Sequence, residues 1–190
     1  MNAIQIKNIT KRYKDVTALD DVSFSFEFGK IYGFLGRNGA GKTTLINIIA
    51  NRIFADQGEI LIDGIPAKEN MGVHEKIFCM SEADLYDRDL KVKDHFKWTN
   101  RFYTDFDLKK AFELSKKFNL DTNKRFKALS KGYQSIFKLI IALSLNVPYV
   151  IFDEPVLGLD ANHRELFYSL LLKEFENNER TPVSYTHLTL

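Results

Sequence analysis

The sequence predicts an α/β fold, a mostly parallel sheet with an antiparallel β flank and an inserted helical block. Two short apolar runs, residues 31–35 and 149–152, are typical of strands buried on both faces of a parallel sheet. Apolar and polar residues alternate instead from Val22 to Phe28, which indicates a half-buried antiparallel strand. From about residue 83 to residue 145, apolar residues recur at helical spacing. We therefore expect one domain over residues 1–190, with a helical sub-domain at about 83–145.

The other strands and helices are predicted in the same way, strands from alternating apolar residues and helices from apolar residues at helical spacing. Ile4, Ile6 and Ile9 predict a first strand, and residues 58–64 predict a short strand that ends in a turn. Asp107 is placed to cap a helix, because its carboxylate can accept a hydrogen bond from an unpaired N–H group of the first turn. Helices are predicted at residues 92–103, 108–115 and 136–143.

The composition is close to that of an average globular protein. The chain of 190 residues is 45% hydrophobic and 27% charged. Its formal net charge of +2 is too small to indicate nucleic acid as the main partner, and the single cysteine, Cys79, excludes an internal disulfide. The longest apolar stretch, residues 139–143, is far shorter than the ~20 residues that span a bilayer, and residues 1–5 show no secretory signal. We therefore expect a cytoplasmic protein.

Residues 36–43 match the phosphate-binding pattern G-x-x-x-x-G-K-[ST] in full. Glycines in such a loop let backbone N–H groups turn toward phosphate oxygens, and the following helix adds the positive potential of its N-terminus. Lys42 would reach the β- and γ-phosphates, and the Thr43 hydroxyl would ligate Mg²⁺. The candidate nucleotide-binding residues of this stretch are Gly36, Arg37, Asn38, Gly39, Ala40, Gly41, Lys42, Thr43 and Thr44.

Two adjacent carboxylates, Asp153 and Glu154, close the second apolar run. Ligands of open α/β sheets bind at the carboxyl ends of the strands. Asp153 is thus placed to hold Mg²⁺, and Glu154 is placed to polarise an attacking water as the catalytic carboxylate. An acidic pair at the end of a strand is common by itself, but downstream of a complete phosphate loop it predicts nucleotide hydrolysis.

Together these motifs resemble those of one family, the ATP-binding subunits of ABC transporters. Residues 129–133 resemble the family's LSGGQ signature, and residues 158–160 resemble its D-loop. Tyr13 lies where the family places the aromatic ring that stacks on adenine, and His187 lies where its catalytic switch histidine is expected. The run from Asp153 to Asp160 looks most like that of exporter-type cassettes.

The resemblance implies a P-loop NTPase with a RecA-like parallel sheet, which binds ATP and Mg²⁺ and hydrolyses ATP. It also implies a head-to-tail dimer with a second ATP-binding subunit, identical or different, whose γ-phosphate Ser130 and Gly132 would contact in trans. The dimer would power a separate transmembrane permease from the inner face of the cell membrane. The alternative is a soluble ABC ATPase that acts on ribosomes or nucleic acid, but such proteins usually carry two cassettes or a long coiled-coil insertion, and this chain has neither.

The chain departs from the family's pattern at two places in the site. The signature keeps Ser130 and Gly132 but has Lys131 and Tyr133 where the family has glycine and glutamine. Because the kept residues supply the hydroxyl and the unobstructed N–H, we expect a usable half-site. Glu82 replaces the glutamine of the family's Q-loop, where its carboxylate could contact Mg²⁺ or a metal-bound water.

Two aromatic side chains outside the motifs are interpreted as surface residues. Tyr86, close to Glu82, is expected to be an exposed ring that contacts the membrane subunit. His163, which follows the D-loop near the start of a helix, is expected to be an ordinary exposed residue.

The C-terminal residues do not suit the strand that the family places there. That strand is central in the family, whereas here residues 181–187 include Pro182, which has no N–H to donate and is rare in central strands. Residues 182–190 also resemble a read-through peptide. We expect a C-terminally truncated fragment whose last nine residues are artefactual, in which case His187 matches the switch position by coincidence.

Overall fold

The computed structural model describes residues 3–28, 30, 32–34, 39–80, 86–176 and 181–185. The strands are β1 (Ala3–Tyr13), β2 (Val16–Glu27), β3 (Tyr32–Phe34), β4 (Gln57–Ile62), β5 (Ile65–Pro66), β6 (Ile77–Met80), β7 (Tyr149–Asp153) and β8 (Thr181–Tyr185). The helices are α1 (Lys42–Ile49), α2 (Met71–His74), α3 (Val92–Phe102), α4 (Leu108–Lys117), α5 (Lys131–Ser144) and α6 (Ala161–Glu176). A short 3₁₀ turn, Phe126–Ala128, precedes α5.

The N-terminal strands form an antiparallel sheet in the order β2-β1-β4-β5. Ile4 of β1 lies between Phe26 of β2 and Ile62 of β4, and all three side chains are buried. The predicted alternation therefore places one face of this sheet on the core, where it packs against Leu45 and Ile49 of α1.

The second sheet is parallel, in the order β3-β8-β7-β6. The residues of β7 alternate between two hydrophobic cores, so that Ile151 faces the antiparallel sheet and α1, whereas Val150 and Phe152 face the helical block. This burial on both faces is the reason that the strand is a continuous apolar run. The predicted α/β architecture, a parallel sheet with an antiparallel β sub-domain and an inserted helical block, is confirmed.

The strand β8 occupies a central position in the parallel sheet although it contains Pro182. Pro182 is the register partner of Val150 in β7, and the ladder to β3 begins only at the next residue, Val183. The structure thus places the proline at the start of a central strand, a position that we expected it to disfavour.

The helices α3, α4 and α5 share one aromatic-rich core. Phe96 of α3 stacks on Phe137 of α5 with their ring centroids 5.7 Å apart, and both side chains are buried. The helix α4 begins where the sequence predicted, because the Asp107 side chain accepts a hydrogen bond from the backbone N–H of Lys110 at 2.8 Å. Among the helices of the described ranges, none is both long and hydrophobic enough to cross a bilayer.

The predicted exposure of Tyr86 is wrong. Its ring centroid lies 4.9 Å from that of Phe137, 5.6 Å from that of Phe126 and 5.7 Å from that of His95. Burial raises the pKa of the Tyr86 hydroxyl. Tyr86 is therefore part of the packing of the helical block, and its removal would destabilise this block as well as any partner contact.

One polar network connects the two sheets. The Tyr149 hydroxyl, at the start of β7, donates a hydrogen bond to Asp63 Oδ1 at 2.6 Å, and Lys76 Nζ lies 2.6 Å from Asp63 Oδ2. Asp63 belongs to the turn between β4 and β5, and Lys76 immediately precedes β6. Burial and the Asp63 carboxylate together raise the pKa of the Tyr149 hydroxyl, which therefore stays a donor.

Candidate nucleotide-binding site

The described end of the phosphate loop turns into α1 through Gly41. Gly41 is the N-cap residue and has a φ of 81°, in the left-handed region that favours glycine. A Cβ atom at this position would lie 2.2 Å from the carbonyl oxygen of Ala18 in β2, so a side chain here would displace the loop or the strand. The close approach fixes the start of α1 against the antiparallel sheet, with its first N–H groups pointing away from the helix.

A cavity of about 300 Å³ opens at this helix start. Its lining consists of Tyr13, Val16, Ala18, Gly39, Ala40, Gly41, Lys42, Thr43, Thr44 and Glu154. The structure thus brings together three groups that are distant in sequence, namely the ring of Tyr13, the phosphate-loop residues and a carboxylate.

Tyr13 forms one wall of the cavity at the end of β1. Its side chain is 46% exposed, and Lys11 Nζ lies 5.6 Å from the ring centroid. A hydrogen bond from the backbone N–H of Arg12 to Asp56 Oδ2, at 2.7 Å, holds the strand end in place. An exposed ring on a fixed strand end is a suitable platform for a flat base.

The charged residues of the site lie on adjacent elements. Lys42 is 8% exposed at the first position of α1, and Asp153 is 8% exposed at the end of β7. Glu154 follows with a φ of 50°, which costs a residue other than glycine ~1–2 kcal/mol. The turn is closed by a hydrogen bond from the Leu157 N–H to the Glu154 carbonyl at 3.2 Å. Strained backbone of this kind is often found at functional sites.

The available oxygen atoms suit Mg²⁺. The hydroxyl of Thr43 and the carboxylate of Asp153 are hard oxygen donors, which Mg²⁺ prefers. Within the part of the chain that the structure describes, no group of three or more His, Cys, Asp or Glu side chains could hold a metal by itself. An ion bound between Thr43 and Asp153 would therefore take its other ligands from phosphate and water oxygens.

The signature turn lies at the start of α5, away from this cavity. Ser130 is the N-cap residue, and its hydroxyl accepts a hydrogen bond from the Tyr133 N–H at 3.3 Å. A Cβ atom on Gly132 would lie 2.6 Å from the carbonyl oxygen of Gly158, so the turn packs against the segment that follows β7. Among the described residues that line the cavity, neither Ser130 nor Gly132 occurs.

His163 is not the ordinary exposed residue that we expected. Its side chain is 18% exposed, its Nδ1 lies 2.7 Å from Asp160 Oδ2, and its Nε2 lies 3.2 Å from the Phe118 carbonyl oxygen. No sequence pattern predicts this contact, because Phe118, the C-cap residue of α4, lies 45 positions earlier in the chain. The predicted site residues that lie outside the described ranges are Gly36, Arg37, Asn38, Glu82 and His187.

The parallel sheet, the loop that leads into α1 and the acidic end of β7 define a class of protein, the phosphate-loop ATPases. Within this class, a family model described as "ABC transporter" matches residues 19–157, which is well over half of the chain.

The comparisons with individual proteins agree with this match. The chain is 30% identical over 184 residues to the ABC transporter ATP-binding protein YtrB of Bacillus subtilis, covering 97% of this chain and 63% of the relative. It is 31% identical over 197 residues to the ABC transporter ATP-binding protein NatA of the same organism, covering 97% of this chain and 79% of the relative. The chain therefore belongs to the ABC transporter family.

The solved structures include the dimeric structure of a bacterial ABC transporter cassette. It superposes with a TM-score of 0.86 at 27% identity and covers 97% of this chain and 88% of the cassette. The same cassette has been solved as a dimer in a post-hydrolysis state bound to ADP and Pi. The likeness extends over almost the whole chain, as the sequence motifs implied.

Proposed function

We propose that this chain binds ATP with Mg²⁺, hydrolyses it, and thereby powers transport through a separate membrane subunit. The observation that carries the proposal is the cavity of about 300 Å³ in which Tyr13, the phosphate-loop residues and Glu154 meet. These groups supply a stacking platform, a phosphate cradle and a carboxylate for the attacking water. The dimeric cassette bound to ADP and Pi supports the same reading of the site.

Each group has a distinct role in the proposed reaction. Adenine stacks on Tyr13, while backbone N–H groups from Gly39 to Thr44 and the Lys42 ammonium hold the phosphates. Thr43 and Asp153 hold Mg²⁺, which neutralises charge on the phosphates when it is bound. Glu154 orients the attacking water and accepts its proton.

The residues outside the described ranges complete this assignment by resemblance. Gly36, Arg37 and Asn38 extend the phosphate cradle, Glu82 contacts Mg²⁺ or its water, and His187 senses the γ-phosphate.

The partner in hydrolysis is proposed to be a second ATP-binding subunit. Ser130 and Gly132 lie outside the cavity of their own chain, as residues that act on the nucleotide of another subunit should. The relative that has been solved as a dimer supports this arrangement, in which two nucleotides are held between opposed subunits. The subunit would work at the inner face of the cell membrane with its permease.

Two substitutions separate binding from hydrolysis. Lys42→Ala should weaken ATP binding about 10- to 100-fold, because it removes a charged partner of the phosphates. Glu154→Gln should keep the ATP affinity, lower hydrolysis ~10²–10⁴-fold and trap an ATP-bound dimer. Isothermal titration calorimetry and phosphate release measure the two effects.

Matched controls are Lys68→Ala and Glu59→Gln, which change the same charges at two exposed positions, one just after β5 and one in β4. Both controls should bind and hydrolyse ATP like the unaltered chain. Equal loss of ATP affinity in Lys42→Ala and Glu154→Gln would contradict the separate roles.

The proposed docking site for the permease is a cleft of about 340 Å³ between the parallel sheet and the helical block. Phe78 and Met80 of β6 line one side, and Thr99 and Tyr103 line the other. Phe102 precedes Tyr103 at the end of α3 and is 76% exposed, and its ring centroid lies 6.0 Å from that of the exposed Trp98. A contiguous exposed apolar patch of this kind is typical of a protein–protein contact. Tyr86 also lines the cleft, so the expected partner contact is extended from Tyr86 to the end of α3.

Binding of the cognate membrane protein tests the docking site. Phe102→Ala and Tyr103→Ala should each lower capture of the permease about 10-fold, while basal ATP hydrolysis stays unchanged. Tyr168→Ala, a partly exposed ring on α6, is the matched control. Unchanged capture by both α3 variants would place the permease elsewhere.

Transport is favoured over the alternative of a nucleic-acid or ribosome ATPase. YtrB and NatA are both named as ABC transporter ATP-binding proteins. The net charge of +2 also gives little electrostatic attraction for a polyanion. The likeness of residues 153–160 to exporter-type cassettes supports an exporter as the membrane partner.

A further inference from the structure

His163, in the first turn of α6, lies where three segments of the chain meet. On one side, Nδ1 faces Asp160 Oδ2 at 2.7 Å, and the His163 backbone N–H donates to Asp160 Oδ1 at 2.9 Å. On the other side, Nε2 lies 3.2 Å from the carbonyl oxygen of Phe118, at the end of α4. The ring stacks on that of Phe118 and meets that of Tyr133 edge-on, with centroids 6.1 Å and 5.9 Å apart.

Both ring nitrogens of His163 face oxygen acceptors. The ring donates to the Asp160 carboxylate when its hydrogen is on Nδ1 and to the Phe118 carbonyl when its hydrogen is on Nε2. The backbone N–H of His163, and then its ring, hold the pKa of Asp160 below its ordinary value. Asp160 is thus an ionised carboxylate that two hydrogen bonds keep in one orientation.

Further contacts make the signature turn and the segment after β7 a single unit. Gly132 packs directly against the carbonyl of Gly158, and the Ser135 hydroxyl donates to the Leu157 carbonyl at 3.1 Å. Tyr133 contributes to this unit twice. Its ring meets that of His163, and its backbone N–H donates a hydrogen bond to the Ser130 hydroxyl. Tyr133 is a departure from the LSGGQ pattern, so its contact with His163 is a feature of this chain.

We propose that His163 is a positioning residue for ATP hydrolysis, which holds Asp160 and the signature turn as one rigid surface toward the nucleotide of the second subunit. This role rests on the proposed function, since it requires a dimer that forms around ATP. His163 does not line the nucleotide cavity of its own chain. Its contribution is therefore expected at the contact with the second subunit rather than in ATP binding by the single subunit.

ATP-driven dimerisation in the Glu154→Gln background tests this role, with the subunit–subunit affinity measured by analytical ultracentrifugation. His163→Ala should weaken dimerisation about 10-fold or more, because Asp160 and Tyr133 lose their shared support. The ATP affinity of the single subunit should stay within about twofold, since the cavity is untouched. In the chain that keeps Glu154, kcat should fall with little change in the ATP affinity.

Two further variants separate positioning from general packing. His163→Arg should restore at least half of the lost dimerisation, because a guanidinium can donate to both the Asp160 carboxylate and the Phe118 carbonyl. Asn162→Ala, which changes the exposed neighbouring side chain, should dimerise like its parent.

Dimerisation of His163→Ala at the parental affinity would overturn the proposal. So would failure of His163→Arg to restore it, a parallel loss of single-subunit ATP affinity, or an equal loss in Asn162→Ala. If the Glu154→Gln parent binds ATP but never dimerises, the proposed dimer is wrong and the positioning role falls with it. Failure of the proposed dimer can be told apart from failure of the positioning role, because it is seen in the Glu154→Gln parent, which still has His163.

Discussion

The helices α1 and α5 each have at their start a glycine that packs against a backbone carbonyl, but they differ in whether a side chain already caps their first N–H groups. At α1, a Cβ on Gly41 would lie 2.2 Å from the Ala18 carbonyl oxygen, and at α5 a Cβ on Gly132 would lie 2.6 Å from the Gly158 carbonyl oxygen. Gly41, the cap residue of α1, has no side chain, whereas the Ser130 side chain accepts a hydrogen bond from a backbone N–H of the first turn of α5. The first helix start is thus open to a ligand of its own subunit, whereas the second is capped by its own serine and, under the proposed function, would meet a nucleotide bound to a partner subunit.

Among the substitutions at the two helix starts, Gly41→Ala should have the largest effect on ATP affinity. The new methyl group would meet backbone in a conformation with φ of 81°, so the start of α1 must move. We expect ATP affinity to fall about 100-fold or more, as the N–H groups and Lys42 leave their positions. Calorimetric titration with ATP measures the loss.

The matched control for Gly41→Ala is Gly64→Ala, in the turn between β4 and β5. Gly64 has a φ of 80° but no atom within 4 Å of its added Cβ, so it shares the backbone strain without the clash. It should lose stability and keep its ATP affinity. Similar ATP affinities in the two variants would show that the contact with Ala18 does not matter.

Gly132→Ala should affect the second helix start alone. Alanine suits the helix interior better than glycine by ~1 kcal/mol, so the cost falls on the contact with Gly158 rather than on the helix. ATP binding by the single subunit should be unchanged, while ATP-driven dimerisation in the Glu154→Gln background should weaken about 10-fold.

Gly72→Ala is the control for Gly132→Ala, because Gly72 is also helical and the nearest atom to its added Cβ is 3.8 Å away. It should dimerise like its parent. A fall in single-subunit ATP affinity for Gly132→Ala would contradict the prediction that only the start of α1 binds the nucleotide of its own subunit.

Ser130→Ala should have a smaller effect, on stability as well as on dimerisation. Loss of an N-cap hydroxyl costs ~1 kcal/mol, which lowers the midpoint of thermal unfolding by a few degrees. Ser169→Ala on α6, whose hydroxyl bonds within its own helix, is the control and should unfold at an almost unchanged temperature. An unchanged midpoint for Ser130→Ala would mean that the cap contributes nothing to α5.

Tyr13→Ala should have the smallest effect. Loss of one stacked ring should cost ~1 kcal/mol, or about fivefold in ATP affinity, while Tyr13→Phe should bind normally. Inorganic tripolyphosphate, which has no base, should bind equally to the unaltered chain, Tyr13→Ala and Tyr13→Phe. Weaker binding of tripolyphosphate to Tyr13→Ala would show that the ring supports the phosphate loop rather than adenine.

Local patterns account for most of what could be predicted. The helix after Asp107 and the buried strand before Asp153 each depend on residues within a few positions of one another. Periodicity and capping report such short-range preferences directly, so these elements were predicted correctly.

The errors concern contacts between residues that are distant in the chain. Tyr86 packs on Phe126 and Phe137, and His163 meets Phe118, across separations that no periodicity encodes. Pro182 is a separate case: the pairing of β8 with both β3 and β7 places it in a central strand against the local preference of proline, and the expectation that residues 182–190 are artefactual stays a prediction.

The hydrogen bond between Tyr149 and Asp63 also decides how the molecule can deform. Tyr149 starts the strand that ends at Asp153, and Asp63 directly follows β4, the strand that pairs with β1, which carries Tyr13. A displacement of one sheet relative to the other would therefore break this hydrogen bond, which contributes about 1.5–3 kcal/mol because its acceptor is charged. The contact thus opposes shear between the sheet that carries Tyr13 and the sheet that carries Asp153.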